Sequence, residues 1–420
     1  MEEKNPVRDG ASWVVMGVYF ILTESQFMQL GLFDLPWWGY VLFTLGLTHM
    51  TIASVTIFLH RHQAHRALEL HPIASNGFRF WLWLTTGIIT KEWVAIHRKH
   101  HAKCETLEDP HSPQIYGIGT VLFKGAKLYR VEAKNTATLQ KYGHGTPDDW
   151  LERDLYSKHD MLGIGIMLAI DLVLFGPVGF IIWGVQMLWI PFFAAGVING
   201  VGHYWGYRNF ASNDTSTNIA PWGILIGGEE LHNNHHAYVT SAKLSNKWWE
   251  FDIGWMYIRI LEILGLATVR KVAPKVRFNL TKTHCCDIET LQAVIIHRYD
   301  VLANYAKYLK QTAVAEIRNL QSREIFGQQD SHALDAVKHW LQRNVDELPK
   351  TEQAALEQAL HSSKILMTIY TMRQELTALW SRSTASKEQL VIQLENWCQR
   401  AEESGISALQ EFSRKLRCYD

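Results

Sequence analysis

The sequence lacks the features that define several common classes of protein. Its 420 residues contain 41 Lys plus Arg and 41 Asp plus Glu, and a net charge of zero argues against binding nucleic acid through a basic surface. Five cysteines are too few for a disulfide framework, and no two of them form the CxxC pair typical of a cysteine zinc site. The GxGxxG fingerprint of dinucleotide-binding domains is also missing. We therefore expect no nucleic-acid partner and no cysteine-bound zinc.

Polarity divides the chain into two parts. Up to about Asp252 the sequence is rich in Trp, Phe, Leu, Ile and Gly, whereas beyond Lys275 it becomes rich in Lys, Arg, Glu and Gln. This change predicts a membrane domain over residues 1–275 and a soluble helical extension over residues 276–420. Apolar residues recur in the extension at three- and four-residue steps, which predicts helices. The extension carries no chemical motif, so we expect a packing or docking domain that is dispensable for chemistry.

Four segments are apolar over about the 20 residues that a bilayer-spanning helix needs. They pair as two hairpins, with turns at residues 34–36 and around Gly184, and they cover residues 12–33, 37–59, 161–183 and 185–205. Lys and Arg are frequent in residues 60–160 and missing from both turns. The positive-inside rule then places this segment and both termini in the cytoplasm. Asp171, inside the third span, is expected to be a neutral or paired carboxylate between helices.

Histidine is the unusual residue, because many of the 20 histidines form tight clusters. Three boxes stand out: HRHQAH at 60–65, HRKHH at 97–101 and HNNHH at 232–236. A further histidine, His203, follows Asn199 by four residues. On a helix, the separations of three and four residues in HxxHH place its histidines on one face. Two such segments can surround two metal ions. Imidazole suits iron, zinc, copper and nickel, so the ligand type alone leaves the metal open.

Two interpretations without catalysis compete with a metalloenzyme. A membrane metal transporter or sensor would hold its ligands near the bilayer midplane, whereas these boxes lie at the cytoplasmic ends of the predicted spans. A haem-binding electron carrier would need paired axial histidines inside facing spans. Only His49 and His203 lie within the predicted spans. A lone histidine such as His49 is most often an ordinary hydrogen-bonded residue.

The chain resembles the membrane fatty acid desaturases, in particular the bacterial type of the stearoyl-CoA-desaturase-like Δ9 group. The resemblance extends over about residues 37–255, and the stretches that carry it are HRHQAHR at 60–66, EWVAIHRKHHAKCETLEDPHSP at 92–113, NGVGH at 199–203 and GGEELHNNHH at 227–236. It implies an all-α membrane protein of the cytoplasmic (inner) membrane, with four transmembrane helices in two hairpins and a cytoplasmic helical cap that holds a di-iron site. It also implies an oxidoreductase that uses O2 to insert a cis double bond, at Δ9, into a long acyl chain.

The resemblance further implies the ligands of two Fe ions. The first iron would be held by His60, His65, His97, His101 and His236, and the second by His100, His203, His232 and His235, with Asn199 reaching it through a water. Asp109 and His111 match a family segment in which ligands receive support from a carboxylate. Trp93 matches a tunnel-lining residue, and Ala195 stands where its threonine partner is expected. His62 has no role in the family pattern and is expected to face solvent.

The chemistry of an acyl chain agrees with such a centre. An unactivated methylene has neither an acidic proton nor a leaving group, so O2 activation by metal is required. O2 takes up four electrons, two from the acyl chain and two from an external donor, and two waters result. No HPGG segment of a fused cytochrome b5 occurs. We therefore expect a separate ferredoxin or flavoprotein reductase as the donor.

Two alternatives remain open: acyl-CoA or acyl lipid as the substrate, and desaturation or hydroxylation as the reaction. The acyl-CoA enzymes have an Arg-Asp pair that contacts CoA directly before the second box, and here those positions are Ala95 and Ile96. CoA phosphates usually call for Arg or Lys, so this difference favours a lipid-bound acyl chain over acyl-CoA. A hydroxylase of acyl chains or alkanes could use the same boxes, because hydroxylation diverges after the first hydrogen is removed. The box spacings and HNNHH favour the desaturase.

Overall fold

The computed structural model describes residues 31–281, 285–322, 331–341, 345, 348, 350–380 and 385–420. These residues are mostly helical. The elements are α1 (Trp37–Ser54) with a π-helical continuation (Val55–Ala64), β1 (Leu68–Leu70), α2 (Pro72–Thr86), α3 (Thr90–Lys103), α4 (Pro113–Tyr116), α5 (Ile118–Glu132), α6 (Thr136–Tyr142), a π-helical turn (Leu151–Tyr156), α7 (Asp160–Phe175), α8 (Val178–Phe192) with a π-helical continuation (Phe193–Val201), β2 (Trp222–Gly223), α9 (His232–Ala237), β3 (Phe251–Asp252), α10 (Ile253–Ile263), β4 (Ala267–Val269), α11 (Ile288–Ile296), α12 (Arg298–Ser322), α13 (Ser331–Trp340), α14 (Lys350–Ser362), α15 (Lys364–Ala378), α16 (Lys387–Glu403) and α17 (Ser407–Arg417).

The chain divides into two compact units. The first consists of Met1–Val201, Pro221–Glu230 and Ala242–Lys271, and the second of Gly202–Ala220, Leu231–Ser241 and Val272–Asp420. This division differs from a single boundary near residue 275. Two segments from the apolar half of the chain group with the polar extension, and one of them carries the third histidine box.

Two short strand pairs belong to the first unit. β1 pairs antiparallel with β4, with Leu68 opposite Val269. β2 pairs parallel with β3, with Trp222 opposite Phe251. In both pairs a strand near the C-terminal end of the first unit pairs with a strand from earlier in the sequence.

Two helices among the described residues are long and apolar enough to cross a membrane, judged by length and composition: Trp37–Ala64 and Val178–Val201. The first predicted span, residues 12–33, lies outside the described residues except for its last three. The predicted third span folds as α7, which has 16 residues. Buried Asp171 on α7 accepts a hydrogen bond of 2.8 Å from the side-chain amide of Gln186 on α8. It is thus a paired carboxylate between helices, as expected.

The turn of the second predicted hairpin is not at Gly184. Helix α7 ends at Phe175 and α8 begins at Val178, so the turn is Gly176–Pro177. Gly176 has φ +59°, which favours glycine, and the following proline cannot continue the helix. Gly184 lies inside α8, where a lone glycine is tolerated. The predicted boundaries 161–183 and 185–205 are therefore wrong by several residues.

Helix α5 packs closely on the π-helical continuation of α8. A Cβ atom at Gly125 would lie 2.2 Å from the carbonyl oxygen of Ala195. A Cβ at Gly196 would lie 2.4 Å from the carbonyl oxygen of Leu122. The two backbones therefore touch, and only glycine permits this approach at either position.

The second unit is organised around the core of helices α11 to α17. Tyr305 and Ile369, both on predicted apolar faces, are buried there, and the Tyr305 hydroxyl donates to the Ile369 carbonyl oxygen at 2.7 Å. Asp287 and Ser386 accept backbone hydrogen bonds at the first turns of α11 and α16. Ala211, from the segment that precedes the third box, belongs to the same core.

Candidate metal centre

Four of the predicted ligands lie together in the first unit: His60, His65, His97 and His101, which we call the 60–101 set. The π-helical continuation of α1 explains how the first box contributes two of them. Its hydrogen bonds step over five residues, and the His65 amide donates to the His60 carbonyl oxygen at 3.1 Å. The rings of His60 and His65 are consequently only 4.7 Å apart between centroids. On α3, His97 and His101 are four residues apart on one face, with centroids 4.7 Å apart.

The nitrogen separations in the 60–101 set fit a single metal ion. The candidate ligand nitrogens all lie within 4.8 Å of one another. Nε2 of His97 lies 2.8 Å from Nε2 of His65 and 3.2 Å from Nε2 of His101. Two nitrogens bound at right angles to one ion, each at about 2.1 Å, are about 3.0 Å apart. Burial, then the neighbouring His60 and His65, lower the pKa of His97 well below its usual value, which favours the neutral, metal-binding imidazole.

Glu229 orients His60. Oε1 of Glu229 lies 2.8 Å from Nδ1 of His60 and accepts a second hydrogen bond from the Thr56 hydroxyl. Burial by itself raises the pKa of Glu229, but His60, Arg61 and the Thr56 hydroxyl together outweigh it, and the net pKa is lowered. An ionised Glu229 can accept a hydrogen bond from the N–H at Nδ1, and Nε2 of His60 then keeps the lone pair that a metal needs.

Arg61, next to His60, fixes the π-helical continuation of α1 to later segments of the first unit. Its guanidinium donates to both carboxylate oxygens of Asp252, at 2.9 and 3.1 Å. It also donates to the carbonyl oxygens of Gly227 and Ala242, at 3.0 and 2.8 Å. Both charged partners are buried, so loss of either one would leave an uncompensated charge.

His100, on the buried side of α3, is held by Asp109. Nδ1 of His100 lies 3.0 and 3.1 Å from the two carboxylate oxygens. Burial alone raises the pKa of Asp109, but His100, with further help from His111 and the Glu105 amide, holds it well below its usual range. The carboxylate support that the resemblance implies for this position is therefore present in the geometry, and Nε2 of His100 is the nitrogen that could bind a metal.

Three predicted ligands lie together in the second unit: His203, His232 and His236, which we call the 203–236 set. All three are buried, and their candidate ligand nitrogens lie within 4.8 Å of one another. Nε2 of His203 lies 3.0 Å from Nε2 of His232, again the separation of two nitrogens on one ion. The 203–236 set thus also suits a metal.

The grouping of His235 and His236 is the reverse of the one that the resemblance implies, which places His236 on the first iron and His235 on the second. The ring of His236 lies 4.7 Å from that of His203 and 4.5 Å from that of His232, whereas His235 lies 5.9 Å from His232. His236, and not His235, therefore groups with His203 and His232. The reason is local, because residues four apart on α9 stack one above the other. This grouping of nitrogens therefore differs from the one that the resemblance implies.

Asp214 supports His236 in the same manner as the other two carboxylates. Oδ2 of Asp214 lies 2.8 Å from Nδ1 of His236. Burial raises the pKa of Asp214, but His236, with further help from His203 and the Ser216 hydroxyl, holds it well below its usual value. Sequence reasoning missed both Asp214 and Glu229, because neither has a fixed spacing from the histidine that it supports.

The two asparagines inside the third box have structural partners. The Asn233 side-chain oxygen accepts from the amides of Asn209 and Phe210, each at 2.9 Å, and its NH2 donates to the Phe210 carbonyl at 3.0 Å. The Asn234 side-chain oxygen accepts from the side-chain amides of Asn209 and Asn218, at 2.8 and 3.0 Å. The HNNHH pattern therefore encodes both ligands and the anchors of the helix that carries them.

The remaining predicted site residues lie in the first unit. Asn199 and Ala195 are partly buried on the π-helical continuation of α8. Trp93 stacks on His97, with centroids 4.9 Å apart and 14° between the ring planes. The expectation that His62 faces solvent is wrong. His62 is partly buried, and its Nδ1 lies 3.0 Å from the Leu68 carbonyl oxygen.

Comparison with known proteins finds a match over the segment that carries the boxes. A family model described as "Fatty acid desaturase" matches residues 35–261. Delta-9 acyl-lipid desaturase 1 of Arabidopsis thaliana is 32% identical over 51% of this chain and 70% of its own. The sn-1 stearoyl-lipid 9-desaturase of Anabaena variabilis is 30% identical over 53% and 80%, respectively. An acyl-CoA C20 Delta5-desaturase of Anemone leveillei is 32% identical over 54% and 71%.

A second family model, described as "Transposase", matches residues 295–420. This match lies within the C-terminal extension and covers less than a third of the chain, too little to assign the chain to that family.

Proposed function

The chain belongs to the fatty acid desaturase family, whose members are oxidoreductases, and we propose that it inserts a cis double bond at Δ9 into a long acyl chain of a membrane lipid. The observation that carries this proposal is the pair of histidine sets, of which the 203–236 set is buried and the 60–101 set is buried or partly buried. Within the sets, Nε2 atoms of neighbouring histidines lie 2.8 to 3.2 Å apart. A carboxylate oxygen lies within hydrogen-bond distance of Nδ1 of His60, His100 and His236, which favours the tautomer that keeps the lone pair on Nε2.

The residues fit two iron ions. We propose that the 60–101 set and the 203–236 set each bind one iron, and that His100 and His235 complete a ligand shell of nine histidines. Asn199 would contribute through a water. When bound, the irons would supply the reduction of O2 and the removal of two hydrogens from the unactivated chain.

The protein's own side chains then orient ligands and exclude water. Glu229, Asp109 and Asp214 hold the Nδ1 protons of their histidines and balance positive charge. Trp93, stacked on His97, presents an apolar surface beside the 60–101 set, where we propose that the acyl chain passes. Ala195 would line the same tunnel.

A lipid-bound substrate is supported by the residues before the second box. Ala95 and Ile96 are buried in α3, so these positions offer a phosphate neither charge nor access. Lys124, Lys127 and Arg130 on α5 are exposed and could bind the phosphate of a lipid head group. Relatives named for acyl-lipid substrates and one named for acyl-CoA both occur among the matches.

Family membership and the two apolar helices associate the chain with a membrane. We propose the cytoplasmic membrane, four spans in two hairpins, and a cytoplasmic helical cap with both termini on the same side. Two electrons per turnover would come from a separate ferredoxin or flavoprotein reductase.

The proposed reaction is tested by product analysis in a host without its own desaturase. Membranes that contain the protein should form a monounsaturated acyl chain in the presence of O2 and an electron donor. His100→Ala and His235→Ala should abolish the product and leave membrane insertion intact, with His144→Ala, an exposed histidine outside the boxes, as the control. A hydroxylated product would favour the hydroxylase, and full activity of both box variants would contradict the assignment of ligands.

The head group is tested by labelled substrates. Labelled stearoyl-CoA and labelled stearoyl phospholipid are supplied in parallel to membranes in which acyl exchange is blocked. We expect the labelled monounsaturated product to form from the stearoyl phospholipid. Conversion of the CoA ester with the phospholipid untouched would overturn the argument from Ala95 and Ile96.

A further inference from the structure

The third histidine box is held from two directions by residues of its own unit. One side is the segment Gly202–Ala220, whose Asn209 and Phe210 amides bind Asn233. The other is the start of the C-terminal extension. Neither the family match nor the box motifs assign any role to the extension, which lies outside the resemblance.

The first direct link to the extension is at the end of the box helix. Tyr238 follows α9, two residues after His236, and its hydroxyl lies 3.2 Å from Nδ1 of His297. His297 is buried and sits between α11 and α12. Its amide bonds to the Ala293 carbonyl, and its carbonyl accepts from the Val301 amide, so its backbone is fixed by both helices.

The second link reaches the box through the neighbouring segment. The Ala211 amide donates to the carbonyl oxygen of Tyr299 at 3.1 Å, and Ala211 itself is part of the apolar core of the extension. Its neighbour Phe210 binds Asn233 through both its amide and its carbonyl. Phe210 also meets the Tyr238 ring edge to face, with centroids 5.2 Å apart. The two links therefore converge on one small region beside α9.

A third contact lies just beyond the box. The Ser241 hydroxyl accepts a 2.9 Å hydrogen bond from the Ala273 amide, three residues before the extension begins. The junction of α11 and α12 is itself secured from the far end of the chain. Asp300 and Asn304 on α12 bond to the hydroxyl of Tyr419, at 3.4 and 3.3 Å.

We propose that the junction between α11 and α12, acting through His297 and Tyr299, positions the third histidine box for metal binding. His297 and Tyr238 are positioning residues, because they touch neither the metal nor the substrate and act through α9. The inference rests on the proposed function only in that the box binds iron. It makes the extension part of the support of the metal centre.

The test compares full-length variants for iron retention against a chelator. Tyr238→Phe and His297→Ala each remove one hydrogen bond, and we expect each to weaken iron retention by about 2- to 10-fold. His297→Asn, whose side-chain amide lies near the position of Nδ1, should restore most of it. Tyr305→Phe is the matched control, because its hydroxyl bonds within the extension to Ile369, away from the box. It should lower the melting temperature without changing iron retention.

Hydrogen exchange of the metal-free proteins provides a second readout. The amides of His235 and Tyr238 should exchange faster in Tyr238→Phe and His297→Ala than in the parent protein or in Tyr305→Phe. If the parent protein binds no iron, the proposed function fails, and the exchange rates still decide this inference. If His297→Ala does not fold, Tyr238→Phe decides alone. Parental iron retention and parental exchange in Tyr238→Phe would overturn the proposal.

Discussion

At the scale of single residues, a repeated arrangement is the pairing of a box histidine with a buried carboxylate. Glu229 pairs with His60, Asp109 with His100, and Asp214 with His236, at 2.8 to 3.0 Å. In each pair burial raises the pKa of the carboxyl group, but the histidine and neighbouring groups outweigh burial and lower the pKa, which favours the ionised form. The three carboxylates thus favour the tautomer with the proton on Nδ1 for one histidine in every box.

Removing one of these negative charges should weaken metal binding without removing a ligand. We expect Glu229→Gln, Asp109→Asn and Asp214→Asn each to lower iron affinity by about 10- to 100-fold, the usual effect of losing such a partner. Competition with a calibrated chelator measures the affinity. Glu388→Gln, at an exposed position of the extension, is the control for loss of a carboxylate. Unchanged iron affinity in all three variants would contradict the role assigned to these residues.

The sequence identifies the histidines far better than their partners. Box spacing depends on local helix geometry, so His97, His100 and His101 can be recognised from the chain alone. Asp109 could be added because it lies only nine residues from His100. His60 and Glu229 are 169 residues apart, and no periodicity links them. The grouping of His235 and His236 also depends on the orientation of α9, which the motif does not contain.

At the scale of elements, the contact of α5 with the π-helical continuation of α8 is set by glycine. Gly125→Ala should destabilise the protein by about 1–3 kcal/mol, because the added methyl meets the Ala195 carbonyl and the backbones must separate. Gly119→Ala in the same helix has open space around it, and it should be neutral or stabilising by up to about 1 kcal/mol. Thermal unfolding in detergent compares the two. Equal effects would show that the close approach of α5 is unimportant.

The position of the α7–α8 turn gives a topology test. A reporter inserted at Gly176–Pro177 should be read as outside the cytoplasm, and one at Asp420 as inside. A reporter at Gly184 would interrupt α8 and should impair insertion. An outside reading for a reporter within residues 100–160 would contradict the proposed orientation.

Helix boundaries were predicted less well than helix existence. Apolar runs indicate that residues 161–205 hold two helices, but hydropathy does not change at the turn between them. The turn depends on the left-handed conformation of Gly176 and on the proline that follows it. Gly184 is also a glycine in an apolar run, but it lies inside α8. The π-helical segments, which bring His60 and His65 together, have no sequence signature of this kind.

At the scale of the whole molecule, the extension and the third box belong to one folded unit. Its core joins residues on both sides of residue 322, such as Tyr305 on α12 with Ile369 on α15. Sequence periodicity predicts these helices correctly. It gives no indication that Ala211 and Tyr238 pack with them, because such contacts join segments about 60 to 90 residues apart.

A chain that ends after Ser322 should therefore lose more than a dispensable domain. Leu302, Tyr305, Leu309 and Ile317 would lose their partners, and each buried side chain contributes about 1.5–3 kcal/mol against a typical total stability of about 5–15 kcal/mol. We expect the second unit to unfold and iron to fall from about two per chain to about one, held by the 60–101 set. Metal analysis of the inserted, truncated protein measures this. Two retained irons would restore the expectation, drawn from sequence alone, that the extension is dispensable.

We propose that the protein desaturates an acyl chain with two irons held by its histidines, and a single-turnover measurement tests this proposal most directly. Purified, iron-loaded protein is chemically reduced and mixed with a stearoyl lipid and O2 without further donor, and the acyl chains are analysed by mass spectrometry. We predict about one new double bond per chain that holds two irons, and none after the iron is removed by a chelator. A hydroxylated chain, or a double bond formed equally well by the chelated protein, would contradict the account.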